Sequence, residues 1–501
     1  MLRQVHLSYS QYSRISINFM QKRFKTKKKK KVLEETNTER ALQYFDTAYP
    51  PVYGSRWPSI RLALLSKHKY IALINNFGNY EDTIKRFENL GAFNVGKRFL
   101  DNIEFENYLK EKNKQIPQKE DLSEVEDLSA QKIRPSLIEL DDEEKAALAW
   151  AEPEGHYLEM YRQRALAKDP SREETSMDLT NRVIVPTQFG TEASVMHDYI
   201  PSSKLKGLED WIEETDVFTE VYQGDDEIGL KVERQKDLLT FPEMLKVYVF
   251  PKGNITRFPQ PRRHELNVFD YYAFDGASLL PVLCLDVQLG ERVLDLCAAP
   301  GGKSLLMLQS MLPGLLVSND KTEGRTNRIH SVLNQYIPKD LDSIRRISSV
   351  TMRDGCGIHE RDAYDKVLVD APCLTDRHSL SEDDNSIFKT TRVKERLRMP
   401  ELQSELLFAA IQAVRPGGSV VYSTCTLSPL QNDGVVHMAL TQIWQETTIE
   451  CSVVDLSYAI RPIRFLYRLG SNLGLRYGQV VLPSLLSNFG PMYVAKIKRI
   501  R

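Results

Sequence analysis

The stretch Arg292-Val293-Leu294-Asp295-Leu296-Cys297-Ala298-Ala299-Pro300-Gly301-Gly302-Lys303-Ser304 decides how the chain folds. A short apolar run ends in a carboxylate, passes through small residues and a glycine pair, and enters a helix-length segment reaching residue 311. This pattern reads as a β-strand turning directly into a helix, with Gly301 and Gly302 where a ligand must approach the backbone closely. Gly302-Lys303-Ser304 suggests a phosphate-binding loop. That motif needs a glycine five residues before Gly302, where Cys297 stands, and Pro300 interrupts the loop. The GxGxxG of a dinucleotide fold is missing as well.

Working outward, strand candidates at 292–296, 314–318, 366–369 and 419–422 alternate with helix-length segments at 302–311, 325–335 and 401–414. Such alternation implies a parallel, doubly wound sheet, which binds ligands in the loops leaving the carboxyl ends of its strands. Residues 477–482 and 491–498 read as an antiparallel edge pair. Val317-Ser318-Asn319-Asp320 places a carboxylate about twenty residues after the glycines, where it can accept both hydroxyls of an adenosine ribose. Asp354-Gly355 can meet the adenine amino group. One strand-end acid alone could merely cap a helix. Asp295, Asp320 and Asp354 in order beside a glycine turn point instead to S-adenosylmethionine. The expected fold class is α/β, a Rossmann-like S-adenosylmethionine-dependent methyltransferase fold with a helical N-terminal region.

Two further strands each end in a cysteine: Val367-Leu368-Val369-Asp370-Ala371-Pro372-Cys373 and Val420-Val421-Tyr422-Ser423-Thr424-Cys425. Thiols answer a difficulty of pyrimidine alkylation, because carbon 5 of cytosine is a poor nucleophile. A thiolate adding to carbon 6 turns the ring into an enamine that can take a methyl group. A carboxylate such as Asp370 can bind and protonate ring nitrogen 3, stabilising the developing charge. A second cysteine helps remove the carbon 5 proton before the first thiol is expelled. The base must also leave its stack to reach the pocket. Either cysteine alone would more commonly be a buried structural residue. Cys284, Cys297 and Cys451 read that way, and Cys356 is left open.

The 501-residue chain is 42% hydrophobic and 27% charged, which excludes a fully disordered or collagen-like protein. No run of about 18 apolar residues is present, so no membrane-spanning helix is expected. Six cysteines without CxxC or zinc spacing exclude a disulfide scaffold and a zinc site. The net charge of −1 hides three parts: ten cations and no acid over 1–33, a net −10 over 120–159, and near neutrality elsewhere. Residues 1–33 read as a mitochondrial transit peptide or basic arm, with a nuclear-localisation or nucleic-acid patch over 27–31 as the alternative. Residues 34–115 read as a helical N-terminal region, with 60–73 as one partly buried helix opened by Trp57-Pro58. Residues 116–240 read as an acidic, partly disordered insertion or linker, and 241–501 as the methyltransferase catalytic domain.

Leu294-Asp295-Leu296-Cys297-Ala298-Ala299-Pro300-Gly301-Gly302-Lys303, Asp370-Ala371-Pro372-Cys373 and Tyr422-Ser423-Thr424-Cys425 resemble the signature motifs of the NSUN (Sun/Fmu-type) RNA cytosine-5 methyltransferases. Most of that family follows Pro-Cys with a small pair. This chain has Leu374-Thr375-Asp376-Arg377-His378-Ser379-Leu380 there, and Gln431-Asn432 after the second cysteine. Those departures are similar to the mitochondrial ribosomal RNA branch, as are Trp57-Pro58-Ser59-Ile60-Arg61, Asn75-Asn76-Phe77 and Asn488-Phe489-Gly490-Pro491-Met492-Tyr493. The likeness spans 35–100 and 245–501.

The resemblance implies Cys425 as nucleophile and Cys373 as the cysteine of product release. It also implies Gly301, Gly302, Lys303, Asp320, Arg325, Asp354 and Gly355 as donor contacts, with Asp370 between donor and base. Beyond the site it implies ribosomal RNA as substrate, mitochondrial ribosomal subunits as the setting, and a location in the mitochondrial matrix. It further implies a mitochondrial transcription termination factor-type partner, since the catalytic half sums to only +4, weak for holding a phosphate backbone unaided. Cations near the site (Arg257, Arg262, Arg263, and Lys389, Arg392, Lys394, Arg396, Arg398) are candidates for RNA contact, the second group equally for a plain helix face. Two other readings stay open: a ribosomal RNA assembly factor that no longer depends on catalysis, and methylation of transfer RNA or protein by the same fold. A scaffold has no need of Cys425, Cys373 and Asp370 together.

Overall fold

Val367, Leu368 and Val369 are wholly buried, the unbroken apolar run required of a strand covered on both faces. The computed structural model describes residues 35–78, 80–114, 231–264, 266–470 and 473–501. The transit peptide or basic arm expected over 1–33, and the insertion expected over 116–240 as far as residue 230, lie outside them. Strands are numbered along the chain: β1 (Tyr70–Ile74), β2 (Phe93–Asn94), β3 (Lys231–Arg234), β4 (Val247–Val249), β5 (Tyr271–Asp275) and β6 (Arg292–Asp295). There follow β7 (Leu315–Asp320), β8 (Ser348–Met352), β9 (Tyr364–Asp370), β10 (Val414–Thr424), β11 (Cys451–Asp455), β12 (Gln479–Val481) and β13 (Met492–Arg499).

The large sheet runs β3-β11-β13-β10-β9-β6-β7-β8, with β12 paired to β13. From β10 to β8 every neighbour is parallel, so the loops after these strands share one edge. Leu368 faces one apolar core, with Leu305, Leu306 and Ile329; Val367 and Val369 face the other, with Leu407, Val435 and Leu440. A second, antiparallel sheet, β2-β4-β1-β5, joins the N-terminal region to residues 247–275.

Several expectations are corrected. The helix expected over 60–73 stops at Leu65 (Trp57–Leu65, with Pro58 in its first turn), and Tyr70–Ile74 is instead strand β1. Ser66, Lys67, His68 and Lys69 break the apolar spacing, and Ile71 to Ile74 are buried together between two partners, so tertiary pairing overrides helical periodicity. The N-terminal region is thus helical only in part. The sheet also reaches back across residue 241, since β3 pairs in parallel with β11. The pairing expected between 477–482 and 491–498 forms as β12 and β13, but β13 lies inside the sheet, between β10 and β11. Strand β8, Ser348-Ser349-Val350-Thr351-Met352, lacks an apolar run because it is an edge strand left partly open.

The N-terminal segment docks beside the reactive edge. The helix Asn37–Ala48 opens with a capping box: Thr36 Oγ1 accepts from Glu39 N, and Glu39 Oε2 accepts from Thr36 N. Asn37 N donates to Asp383 Oδ1 at 2.5 Å, just past the helix Asp376–Ser381. Phe45 is wholly buried, stacked on Tyr49 at 5.0 Å and edge-on to Phe388, a burial that contributes about 1.5–3 kcal/mol. No helix among the described residues is long and apolar enough to cross a membrane.

Candidate active site

Strand β6 ends in Asp295, fully buried. Ser304 Oγ donates to its Oδ2 at 2.6 Å, and Oδ1 has no protein partner. Burial pushes its pKa up to about 7. Gly301 then adopts φ +107°, a conformation that favours glycine, and the helix Gly302–Gln309 begins. A Cβ on Gly302 would lie 3.0 Å from Tyr272 Oη, so a side chain there would press on the Tyr272 ring.

The second carboxylate, Asp320, closes β7. Its Oδ2 accepts from Ala299 N at 3.1 Å, and its Oδ1 accepts from Lys321 N at 2.8 Å and from Arg325 Nε at 2.6 Å. Arg325 therefore reaches the site through Asp320. Asp354 follows β8, accepts from Cys356 N, and pairs with Lys321 Nζ at 2.7 Å. Hydrogen bonding from Lys321 is the main cause holding its pKa below the usual carboxylate range. A Cβ on Gly355 would fall 2.6 Å from Leu406 Cδ2. The expected donor contacts thus line one row of loops. S-adenosylmethionine is a cation carrying a ribose diol and an adenine amino group. A row of carboxylates with an orphaned buried oxygen on Asp295 fits it.

The next two strands carry the expected reactive residues. Asp370 and Ser423 are partners across β9 and β10. Ser423 Oγ donates to Asp370 Oδ1 at 2.9 Å, while Lys303 Nζ pairs with Oδ2 at 2.7 Å. Burial pulls the Lys303 pKa down, but the Asp370 carboxylate outweighs it and the net shift is upward. Lys303 therefore bridges the glycine turn to Asp370. Cys373 and Cys425 bring their sulfurs to 3.3 Å. The hydrogen bond shared with Cys373, then burial, hold the Cys425 thiol well above its ordinary pKa, with Lys303 pulling the other way. Burial also pushes Cys284, Cys356 and Cys451 up to about 12.

Sequence reasoning takes Asp376, Gln431 and Asn432 only as marks of a family branch and gives no role to the residues that hold these loops. Asp376 is wholly buried, and its Oδ2 accepts from Leu427 N at 2.8 Å and from Tyr49 Oη at 2.9 Å. Burial pushes its pKa up to about 6. Tyr53 Oη donates to Leu427 O at 2.6 Å. The buried turn Leu430–Gly434 supplies Gln431, which accepts from Leu374 N, and Asn432, which accepts from Thr424 Oγ1. Asp433 accepts from Tyr493 Oη and from the backbone N–H groups of Arg476, Tyr477 and Gly478. Only the buried polar letters just after each cysteine could have signalled this. Among the expected RNA-facing cations, Arg392 pairs with Glu395 at 2.6 Å, Arg396 lies 4.9 Å over the Phe388 ring, and Arg263 lies 4.6 Å over Phe269.

Known proteins are similar to this chain in sequence. A family profile described as 16S rRNA methyltransferase RsmB/F matches residues 282–464. The 5-cytosine rRNA methyltransferase NSUN4 of Xenopus tropicalis is 36% identical over 463 residues, covering 92% of this chain and 90% of that protein. The mitochondrial tRNA (cytosine(34)-C(5))-methyltransferase of Danio rerio is 42% identical over 259 residues, covering 51% of this chain and 67% of that protein. The solved structure of NSun6 from Pyrococcus horikoshii is 22% identical with a TM-score of 0.38, over 49% of this chain and 57% of that one. The chain belongs to the NSUN (RsmB/F-type) family of RNA cytosine-5 methyltransferases, enzymes that draw the methyl group from S-adenosylmethionine.

Proposed function

We propose that this enzyme methylates carbon 5 of a cytosine in mitochondrial small-subunit ribosomal RNA through a covalent bond to Cys425, and so contributes to assembly of the mitochondrial ribosome. The observation that carries the chemistry is the pair of sulfurs 3.3 Å apart, at the ends of two adjacent strands, beside a carboxylate held from two sides. Ribosomal RNA is favoured because likeness to the ribosomal RNA enzyme spans 92% of the chain, against 51% for the transfer RNA enzyme. The mitochondrial setting rests on the latter's printed name and on the branch-specific motifs.

Gly301, Gly302, Lys303, Asp320, Asp354 and Gly355 would hold S-adenosylmethionine, with Arg325 acting through Asp320. Its sulfonium would supply the methyl group to carbon 5, the sulfur–carbon bond breaking and its electron pair leaving with S-adenosylhomocysteine. The Cys425 thiolate bonds to carbon 6, and the carbon 5–carbon 6 π pair shifts to make carbon 5 nucleophilic. Asp370, buttressed by Lys303 and Ser423, gives a proton to ring nitrogen 3 as the thiolate adds and takes it back when the double bond re-forms, so that the charge on the ring is balanced at each step. Cys373 then removes the carbon 5 proton. The pair left behind re-forms the double bond and expels Cys425 as thiolate. With only +4 on residues 241–501, a basic partner of the mitochondrial transcription termination factor type would supply further grip on RNA.

Labelled methyl donor with ribosomal and transfer RNA tests the reading. Wild type labels ribosomal RNA, Cys425→Ala loses transfer by on the order of 10⁴-fold, and Cys373→Ala accumulates a covalent RNA adduct. Normal transfer by Cys425→Ala would remove it as nucleophile, and preferential labelling of transfer RNA would overturn the substrate.

A further inference from the structure

We propose that Gln431 and Asn432 are positioning residues with separate clients: Gln431 sets the loop of Cys373, and Asn432 sets the loop of Cys425. The proposal rests on the division of labour between the two cysteines given above. Both side chains leave one buried turn, Leu430–Gly434, whose hydrogen bonding is of the π type often found at functional sites. Its backbone is fixed from the sheet, since Tyr422 Oη donates to Gln431 O at 2.7 Å.

The contacts divide cleanly. Gln431 Oε1 accepts from Leu374 N at 3.2 Å, one residue after Cys373, and from Gln403 Nε2 at 3.3 Å. Gln403 Nε2 also donates to Pro372 O at 2.6 Å, one residue before Cys373. Both flanks of Cys373 are thereby tied to the Gln431–Gln403 pair. Asn432 Oδ1 accepts from Thr424 Oγ1 at 2.5 Å, and Asn432 Nδ2 donates to Thr426 O at 3.1 Å, the residues on either side of Cys425. One rigid turn thus fixes two sulfurs relative to each other, and reacting groups displaced by about 1 Å can lose about 10²-fold in rate.

A merely structural pair of buried amides would lower stability without distinguishing attack from release. The test measures covalent adduct on denaturing gels and methyl transfer, with the full-length protein and small-subunit ribosomal RNA. Gln431→Met is expected to form adduct normally and release it slowly, so that adduct rises about fivefold or more over wild type. Asn432→Ala is expected to slow adduct formation about tenfold or more with no accumulation. Where either variant loses its thermal transition, Gln403→Met and Thr424→Val cut the same flanks and are expected to give the same two signatures. Cys373→Ala and Cys425→Ala run in parallel. If Cys373→Ala fails to accumulate adduct, the cysteine assignment has failed. If it does accumulate, and the amide variants affect both steps alike or neither, the separate positioning roles are overturned.

Discussion

The loops after β6, β7 and β8 and those after β9 and β10 lie along one edge of one sheet, yet they are held in opposite ways. On the donor side each carboxylate is fixed from within residues 299–356: Asp320 by Ala299 N, 21 residues back, and by Lys321 N and Arg325, and Asp354 by Cys356 N and Lys321. On the base side the loops hang on distant anchors: Leu374 on Gln431, 57 residues on, Leu427 on Asp376, 51 residues back, and Asp376 on Tyr49, 327 residues back. A binding pocket tolerates small adjustments around a ligand with many contacts. Two sulfurs that act in turn on neighbouring ring carbons, as proposed above, would not, and the loops of Cys373 and Cys425 are braced from distant residues.

That contrast can be broken by substitution, and the largest effect is expected at Asp433. Asp433→Ala leaves the buried backbone N–H groups of Tyr477 and Gly478, the partly buried one of Arg476 and the Tyr493 hydroxyl without their acceptor. A loss on the order of 4 kcal/mol in denaturant unfolding is expected; an unchanged unfolding midpoint would show that the brace is dispensable. Next comes Asp320→Ala on the donor side. Calorimetry should read S-adenosylmethionine binding weakened by about 10- to 100-fold, about 1.4–2.8 kcal/mol, with turnover at saturating donor largely kept. A drop in turnover without a change in affinity would erase the distinction between the sides.

The third expectation concerns pH. The hydrogen bond from Cys373 and burial raise the Cys425 pKa, so the thiol is the protonated form at neutral pH, and the attacking thiolate grows as pH rises towards that value. Single-turnover adduct formation should therefore climb about tenfold per pH unit from neutral into the alkaline range. A flat profile would mean that RNA binding alone ionises the thiol. The smallest effect is expected from Tyr49→Phe, which keeps the ring stacked on Phe45 and removes one hydrogen bond to Asp376. It should cost about 1 kcal/mol of stability and lower turnover a few-fold, with donor affinity unchanged.

The same contrast explains what could be read from the chain. A strand that ends in an acid and turns through glycines is a local pattern, so Asp295, Asp320 and Gly301 were visible from residue order alone. Thr-Cys and Pro-Cys at the ends of two apolar runs were visible for the same reason, and the family likeness added their roles. Asp376, Gln431, Asn432 and Asp433 are different. Their partners are mostly backbone groups, which leave no trace in periodicity, and those of Asp376, Gln431 and Asp433 lie tens of residues away. The Tyr70–Ile74 strand was misread as helix because its partners, β4 and β5, come from residues 247–275, beyond any local window.

The hydroxyls of Tyr49 and Tyr53 also bear on the order in which the enzyme matures. The donor pocket can form as soon as the consecutive strands β6, β7 and β8 and the helices between them are complete. The nucleophile loop, by contrast, is secured by contacts with sequence separations of 327 and 374 residues, which are among the slowest for a polypeptide to close. A newly made molecule would therefore recognise its methyl donor before its cysteines are set to attack, and chemistry would be withheld until the two ends of the chain have met.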